Sequence, residues 1–177
     1  MVNKRALARK AKRIKVVLLD VDGVMTDGGI YYTAEGVEMK RFNAQDGYGI
    51  ARAREAGIRF ALVSGRETPI VARRAKDLKI SEVFQNRLDK LAVLRELQQR
   101  YKLDDGAFCF IGDDLFDLPL LEAVGFSAAP ANARPEVKRR VDYVCKAKGG
   151  DGAVREVLDI LEVHRKRNGT LSPTPPR

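Results

Sequence analysis

Short unbroken apolar runs recur along this chain, and most of them end in a polar side chain. Residues 16–19 read Val-Val-Leu-Leu and lead straight into Asp20, Asp22 and Gly23. Such a run suits a strand buried on both faces of a parallel sheet. The pattern predicts further strands at 58–63, 83–85, 108–111, 126–128 and 143–145, the first strand spanning 15–21. Between them, spacing of helical type predicts helices at 6–14, 46–57, 68–78, 90–101, 115–124, 135–140 and 153–165. Pro69 falls in the first turn of its helix, where a missing N–H costs nothing. Residues 28–42 break the alternation. Aromatic and β-branched side chains flank Ala34-Glu35-Gly36, the signature of a β-hairpin. The expected architecture is a three-layer α/β/α, Rossmann-like fold with a mostly parallel central sheet and a hairpin inserted after the first strand.

Composition narrows the class. A chain of 177 residues, 45% apolar and 32% charged, is long enough for one cored domain, expected over 1–165, with an irregular, proline-bearing tail at 166–177. No apolar run reaches the roughly 20 residues of a membrane span, and the basic start lacks a secretory apolar segment, so the cytoplasm is the expected compartment. Cys109 and Cys145 sit in apolar runs and read as buried thiols. The net charge of +9 suggests a polyanion partner until it is located. Residues 1–15 hold seven Lys/Arg and residues 164–177 hold four, neither with an acid, so residues 16–163 carry about −2. The basicity belongs to the ends, and neither nucleic acid nor membrane is an expected partner.

The chemistry sits where strands end. Parallel strands share one carboxyl edge, and open α/β sheets bind ligands there. Asp20 and Asp22 follow the first strand, Ser64 the second, Lys90 comes just after the third, and Asp113 and Asp114 follow the fourth. Close carboxylates repel unless a cation or a proton comes between them. Gly23 lets the backbone turn where a side chain would obstruct it. Each group also has a plain structural reading: Ser64-Gly65 as a turn, Asp114 as a helix cap, Lys90 on a solvated helix face. An EF-hand is excluded, since its Gly and Glu positions are not matched.

In this order the residues resemble the haloacid-dehalogenase-like phosphatase superfamily, in its capless subclass, over residues 14–163. Asp20-Val-Asp22-Gly-Val-Met-Thr-Asp-Gly is similar to its first motif, Ser64 to the second, Lys90 to the third and Gly112-Asp113-Asp114 to the fourth. The 42–50, 64–68 and 149–156 stretches resemble the branch acting on 3-deoxy-octulosonate 8-phosphate, with nine-carbon sugar-acid 9-phosphates as the alternative substrate. The resemblance implies that Asp20 is the nucleophile and Asp22 the acid/base. Ser64 and Lys90 would hold the phosphoryl oxygens, and Mg2+ would be held by Asp20, the Asp22 carbonyl, Asp113 and Asp114. It also implies substrate contacts from Arg66, Arg74, Asp46 and Gly47.

No stretch between the motifs is long enough for a folded cap beyond the hairpin. An open site and an exposed apolar hairpin are both answered if hairpins of neighbouring subunits pack together, and the resemblance implies a homotetramer; a hairpin folded back on its own domain is the alternative. Arg66 and Arg74, eight residues apart, are expected on roughly one helical face, where they could grip a carboxylate. A non-catalytic phospho-acceptor domain uses similar residue types, but with its acceptor on a later strand.

Overall fold

A computed structural model describes the backbone of residues 4–166. Helix α1 (Lys4–Arg13) leads into β1 (Val16–Leu19), all four of whose side chains are buried. The hairpin strands β2 (Tyr31–Tyr32) and β3 (Glu38–Met39) follow, then α2 (Ala44–Glu55), β4 (Arg59–Val63), α3 (Pro69–Asp77) and β5 (Glu82–Phe84). The second half runs α4 (Lys90–Tyr101), β6 (Phe108–Ile111), α5 (Leu118–Ala123), β7 (Phe126–Ala129), α6 (Pro135–Lys138), β8 (Tyr143–Val144) and α7 (Ala153–Lys166). The expected tail lies, beyond residue 166, outside the described residues.

Six strands form one sheet in the order β5-β4-β1-β6-β7-β8, every pairing parallel. The strand period of two sorts the side chains between two cores. Val17, Leu19, Phe60, Leu62, Cys109 and Ile111 face the layer of α1, α2, α3 and α7. Val16, Leu18, Ala61, Val63, Phe108 and Phe110 face α4, α5 and α6. Both cysteines are buried and free. Register puts Leu19 beside both Leu62 and Ile111, so the residues that follow these strands emerge together at one edge.

The departures from the expected boundaries have local causes. β1 stops at Leu19 because Val21–Met25 winds into a wide turn that Asp20 caps by accepting from the Val21 amide. Helix α2 starts at residue 44 rather than 46, because Asn43 Oδ1 accepts from the amides of Gln45 and Asp46. The helix expected at 115–124 opens as a 3-10 turn, Leu115–Asp117, before α5. The hairpin turns where expected, with Gly36 at φ 79° and its amide bonded to Thr33 O. Among the described residues, no helix is long and apolar enough to cross a membrane.

Candidate active site

Two strand ends and the start of helix α4 converge at the carboxyl edge of the sheet. Asp20 leaves β1 with its amide donating to Ile111 O at 3.0 Å, which binds it to the end of β6. Its carboxylate is 3% exposed and accepts from Lys90 Nζ at 2.8 Å. Lys90 opens α4 yet is 1% exposed, so the solvated-helix-face reading of this residue fails. Its ammonium also donates to Asp117 Oδ1 at 2.7 Å and lies 4.5 Å from the centre of the Phe116 ring. Breaking a buried ion pair of this kind costs about 3–5 kcal/mol, far more than an exposed one. Lys90 is therefore held hard in place.

Asp117 is the residue the sequence reading missed. It is fully buried, and its second oxygen accepts from the amides of Asp113 and Asp114 at 2.9 and 3.2 Å. One carboxylate thereby fixes both the lysine and the loop that presents Asp113. Carboxylate oxygens of Asp20, Asp113 and Asp117 lie within 4.8 Å of one another. Three carboxylates thus face one ammonium in a covered site, leaving negative charge in excess. Burial, followed by Asp117 and Asp114, pushes the Asp113 carboxyl up to about 7; burial also raises Asp20, against the pull of Lys90. Without a cation, this cluster favours a bound proton.

A metal ion fits this place. Asp113 Oδ1 is buried with no hydrogen-bond partner, and Asp117 has both oxygens spent on protein donors. Gly23, at φ +88°, leaves the space beside Asp113: a Cβ there would stand 2.1 Å from Asp113 Oδ2. Asp20 and Asp113 are thus the carboxylates with capacity for an ion, and oxygen donors of this kind suit magnesium. Asp114 stands outside the cluster, its carboxylate capping the 3-10 turn through the Leu115 amide. The loop at 149–152 braces the opposite side of the Asp20 turn. Gly150 donates to Val24 O, and a Cβ on Gly149 would stand 1.8 Å from Gly23 O, so this loop packs against the first motif.

The other expected residues separate into rim and frame. Ser64 is buried at the end of β4, its Oγ accepting from the Arg66 amide. Asp22 lies apart from Asp20, paired with Lys40 of the hairpin. Arg66 precedes α3 rather than sharing its face with Arg74, and reaches Glu38 of β3 at 3.0 Å. Arg74 donates to Asn43 O and stacks near the Phe42 ring, against Gly47, where a Cβ would stand 2.6 Å from its guanidinium. Asp46 is buried and turned to the start of α7, accepting from the Arg155 amide at 2.7 Å. That contact ties α2 to α7. Lys40 and Glu38 escaped the sequence reading because on an alternating strand they look like solvent-facing charges.

At the carboxyl edge of the parallel sheet a buried lysine thus stands between two aspartates, with a third carboxylate beside them. A profile of haloacid dehalogenase-like hydrolases matches residues 75–158. The 3-deoxy-D-manno-octulosonate 8-phosphate phosphatase of Escherichia coli K12 is 42% identical over 152 residues, covering 86% of this chain and 81% of the relative. That of Yersinia pestis is 40% identical over 153 residues, covering 86% and 82%. A Moraxella catarrhalis phosphatase of this name, solved with magnesium, phosphate and KDO, superposes with a TM-score of 0.89 at 38% identity, covering 91% of this chain and 92% of that one. A cobalt-bound Haemophilus influenzae structure gives 0.85 at 38% identity, covering 93% and 96%. The chain belongs to the haloacid dehalogenase-like hydrolases and, within them, to the 3-deoxy-D-manno-octulosonate 8-phosphate phosphatase family. This sets aside the phospho-acceptor reading.

Proposed function

We propose that this chain is a magnesium-dependent phosphomonoesterase that converts 3-deoxy-D-manno-octulosonate 8-phosphate to the free sugar acid and phosphate. The observation that carries the reading is Asp20, buried at the end of β1 with Lys90 at 2.8 Å and Asp113 alongside. In this reading Asp20 attacks phosphorus, forming an aspartyl-phosphate as the sugar alkoxide departs, which splits one hard displacement into two easier ones. Asp22 gives the alkoxide its proton, then takes one from the water that hydrolyses the aspartyl-phosphate. In this reading Lys90 and Ser64 bind the phosphoryl oxygens. Asp117 acts through Lys90 by holding its ammonium at 2.7 Å. Asp20, the Asp22 carbonyl and Asp113 are the ligands we assign to the ion, with Asp114 supporting from outside the cluster. Bound there, magnesium supplies positive charge against the phosphoryl oxygens, and such preorganised charge carries much of phosphoryl-transfer catalysis.

The rim supplies recognition. Arg66 Nη1 and Arg74 Nε are buried without hydrogen-bond partners, which leaves both guanidiniums with donors for the carboxylate of a sugar acid. Asp46 and Gly47 support this rim from α2: Gly47 by making room for Arg74, Asp46 by fixing the helix. Residues 1–165 serve as one catalytic domain, for which we assign a cytoplasmic setting and no nucleic-acid or membrane partner. The hairpin leaves Ile30, Tyr32, Val37 and Met39 between 50% and 61% exposed, a patch suited to packing with other copies in a homotetramer. A phosphate-release screen with magnesium tests the substrate. The eight-carbon acid phosphate is expected to be turned over best; equal or faster release from a nine-carbon 9-phosphate reassigns the substrate and leaves the mechanism intact.

A further inference from the structure

The hairpin has two unlike faces. Val37 and Met39 point outward, 60% and 50% exposed, whereas Glu38 and Lys40, displaced by one residue, point back toward the domain. The Lys40 side chain is 1% exposed. A lysine so covered is costly unless its charge is matched, and two carboxylates match it. Its ammonium stands 2.5 Å from Asp22 Oδ1 and 3.3 Å from Glu38 Oε1. Glu38 Oε1 in turn stands 3.0 Å from Arg66 Nη2.

Asp22 needs such help. It lies in the wide turn after β1, where neither side of a ladder fixes it, and its own φ and ψ of −78° and 120° are extended within that turn. Among the described residues, Lys40 is the one hydrogen-bond donor to its carboxylate. Asp20, by contrast, is held by the Val21 amide and by Lys90. The bridge between Thr26 and Phe42 closes the hairpin's base and sets Lys40 over the turn that carries Asp22.

We propose that Lys40 is the positioning residue for Asp22: anchored by Glu38, it aims the proton-transfer carboxylate at the leaving oxygen. The sheet thus aligns the nucleophile and the hairpin aligns the acid/base. The inference rests on the proton-transfer role given to Asp22 above.

Leaving-group dependence tests this, because a p-nitrophenolate departs without a proton whereas a sugar alkoxide needs one. The parameter kcat/KM reports events up to formation of the aspartyl-phosphate and so isolates that proton. Lys40→Met is expected to lower kcat/KM for the sugar-acid phosphate about 100-fold, within the usual range for general acid catalysis. For p-nitrophenyl phosphate the loss should stay within about threefold, and Lys40→Arg should restore most of the sugar-phosphate rate. Glu38→Gln, which leaves Lys40 and its pair with Asp22 in place, should show the same split at smaller size and covers the case in which Lys40→Met does not fold. Equal losses on both substrates in the folded variants, or no loss on either, overturn the inference. Asp22→Asn run alongside separates the two claims. A split in Asp22→Asn without one in the Lys40 and Glu38 variants rejects Lys40 alone, and no split in Asp22→Asn rejects the role given to Asp22.

Discussion

The strand-end cluster and the hairpin invert the usual distribution of polarity. At the end of β1 charged groups are buried: Asp20, Lys90 and Asp117 are 3%, 1% and 0% exposed. On the hairpin apolar groups are bare, with Tyr32 at 61% and Val37 at 60%. Buried charge is tolerable where it is paired: Lys90 matches Asp20 and Asp117 within one chain, while Asp113 Oδ1 and the excess negative charge are left unmatched. Bare apolar surface is tolerable where another surface covers it. The first region therefore calls for a cation and the second for a partner. Charge is gathered inside the domain, while the outer face of the hairpin offers apolar surface.

The contrast predicts very different sensitivities. Asp20→Asn should remove turnover by about four orders of magnitude or more, the scale seen when a nucleophile is lost, with the fold retained because Lys90 keeps Asp117. Circular dichroism and a phosphate-release assay on one preparation would check both halves. Lys90→Met should cost about 3–5 kcal/mol in denaturant unfolding as well as activity, because it leaves Asp20 and Asp117 buried without their cation. Hairpin changes should behave otherwise. Val37→Ser should shift the stability of the subunit by no more than about 0.5 kcal/mol, since the side chain buries little within it. On the proposed homotetramer, its effect belongs in sedimentation, as a shift toward smaller species.

The cluster also makes a prediction about pH. In the metal-free protein the Asp113 carboxyl is raised to about 7 from its ordinary 3.8, so the folded state binds this proton more tightly than the unfolded chain. Its contribution is complete below about pH 3.8 and is lost as pH rises through 7. Metal-free protein should therefore lose denaturant resistance between about pH 4 and pH 7 through this group, and saturating magnesium should remove most of that slope. By the same linkage magnesium affinity should fall below pH 7, by up to about tenfold per unit for one competing proton. Chemical unfolding with and without metal at several pH values measures both.

What the sequence revealed follows from where each residue sits. Asp20, Ser64 and Asp113 were legible because apolar runs mark buried parallel strands and topology gathers their ends. Lys90 was legible as a member of that series, though its own helix suggested solvent. Asp117 was hidden because it sits among Leu115, Phe116 and Leu118, where an acid reads as the polar face of a helix. Only the 3-10 turn rolls it inward onto Lys90. Asn43 was hidden because capping depends on where a helix begins, and the apolar spacing placed that start too late. Lys40 and Glu38 were hidden because their burial comes from tertiary closure of the hairpin over the Asp20 turn, which no local pattern encodes.

The most direct test of the account is the identity of the phosphorylated side chain. Protein quenched during turnover with p-nitrophenyl phosphate and treated with borohydride should carry homoserine at position 20, the reduction product of an aspartyl-phosphate, located by peptide mass spectrometry. Reduction at Asp22 or Asp113 instead, or at no aspartate while phosphate is being released, would contradict it.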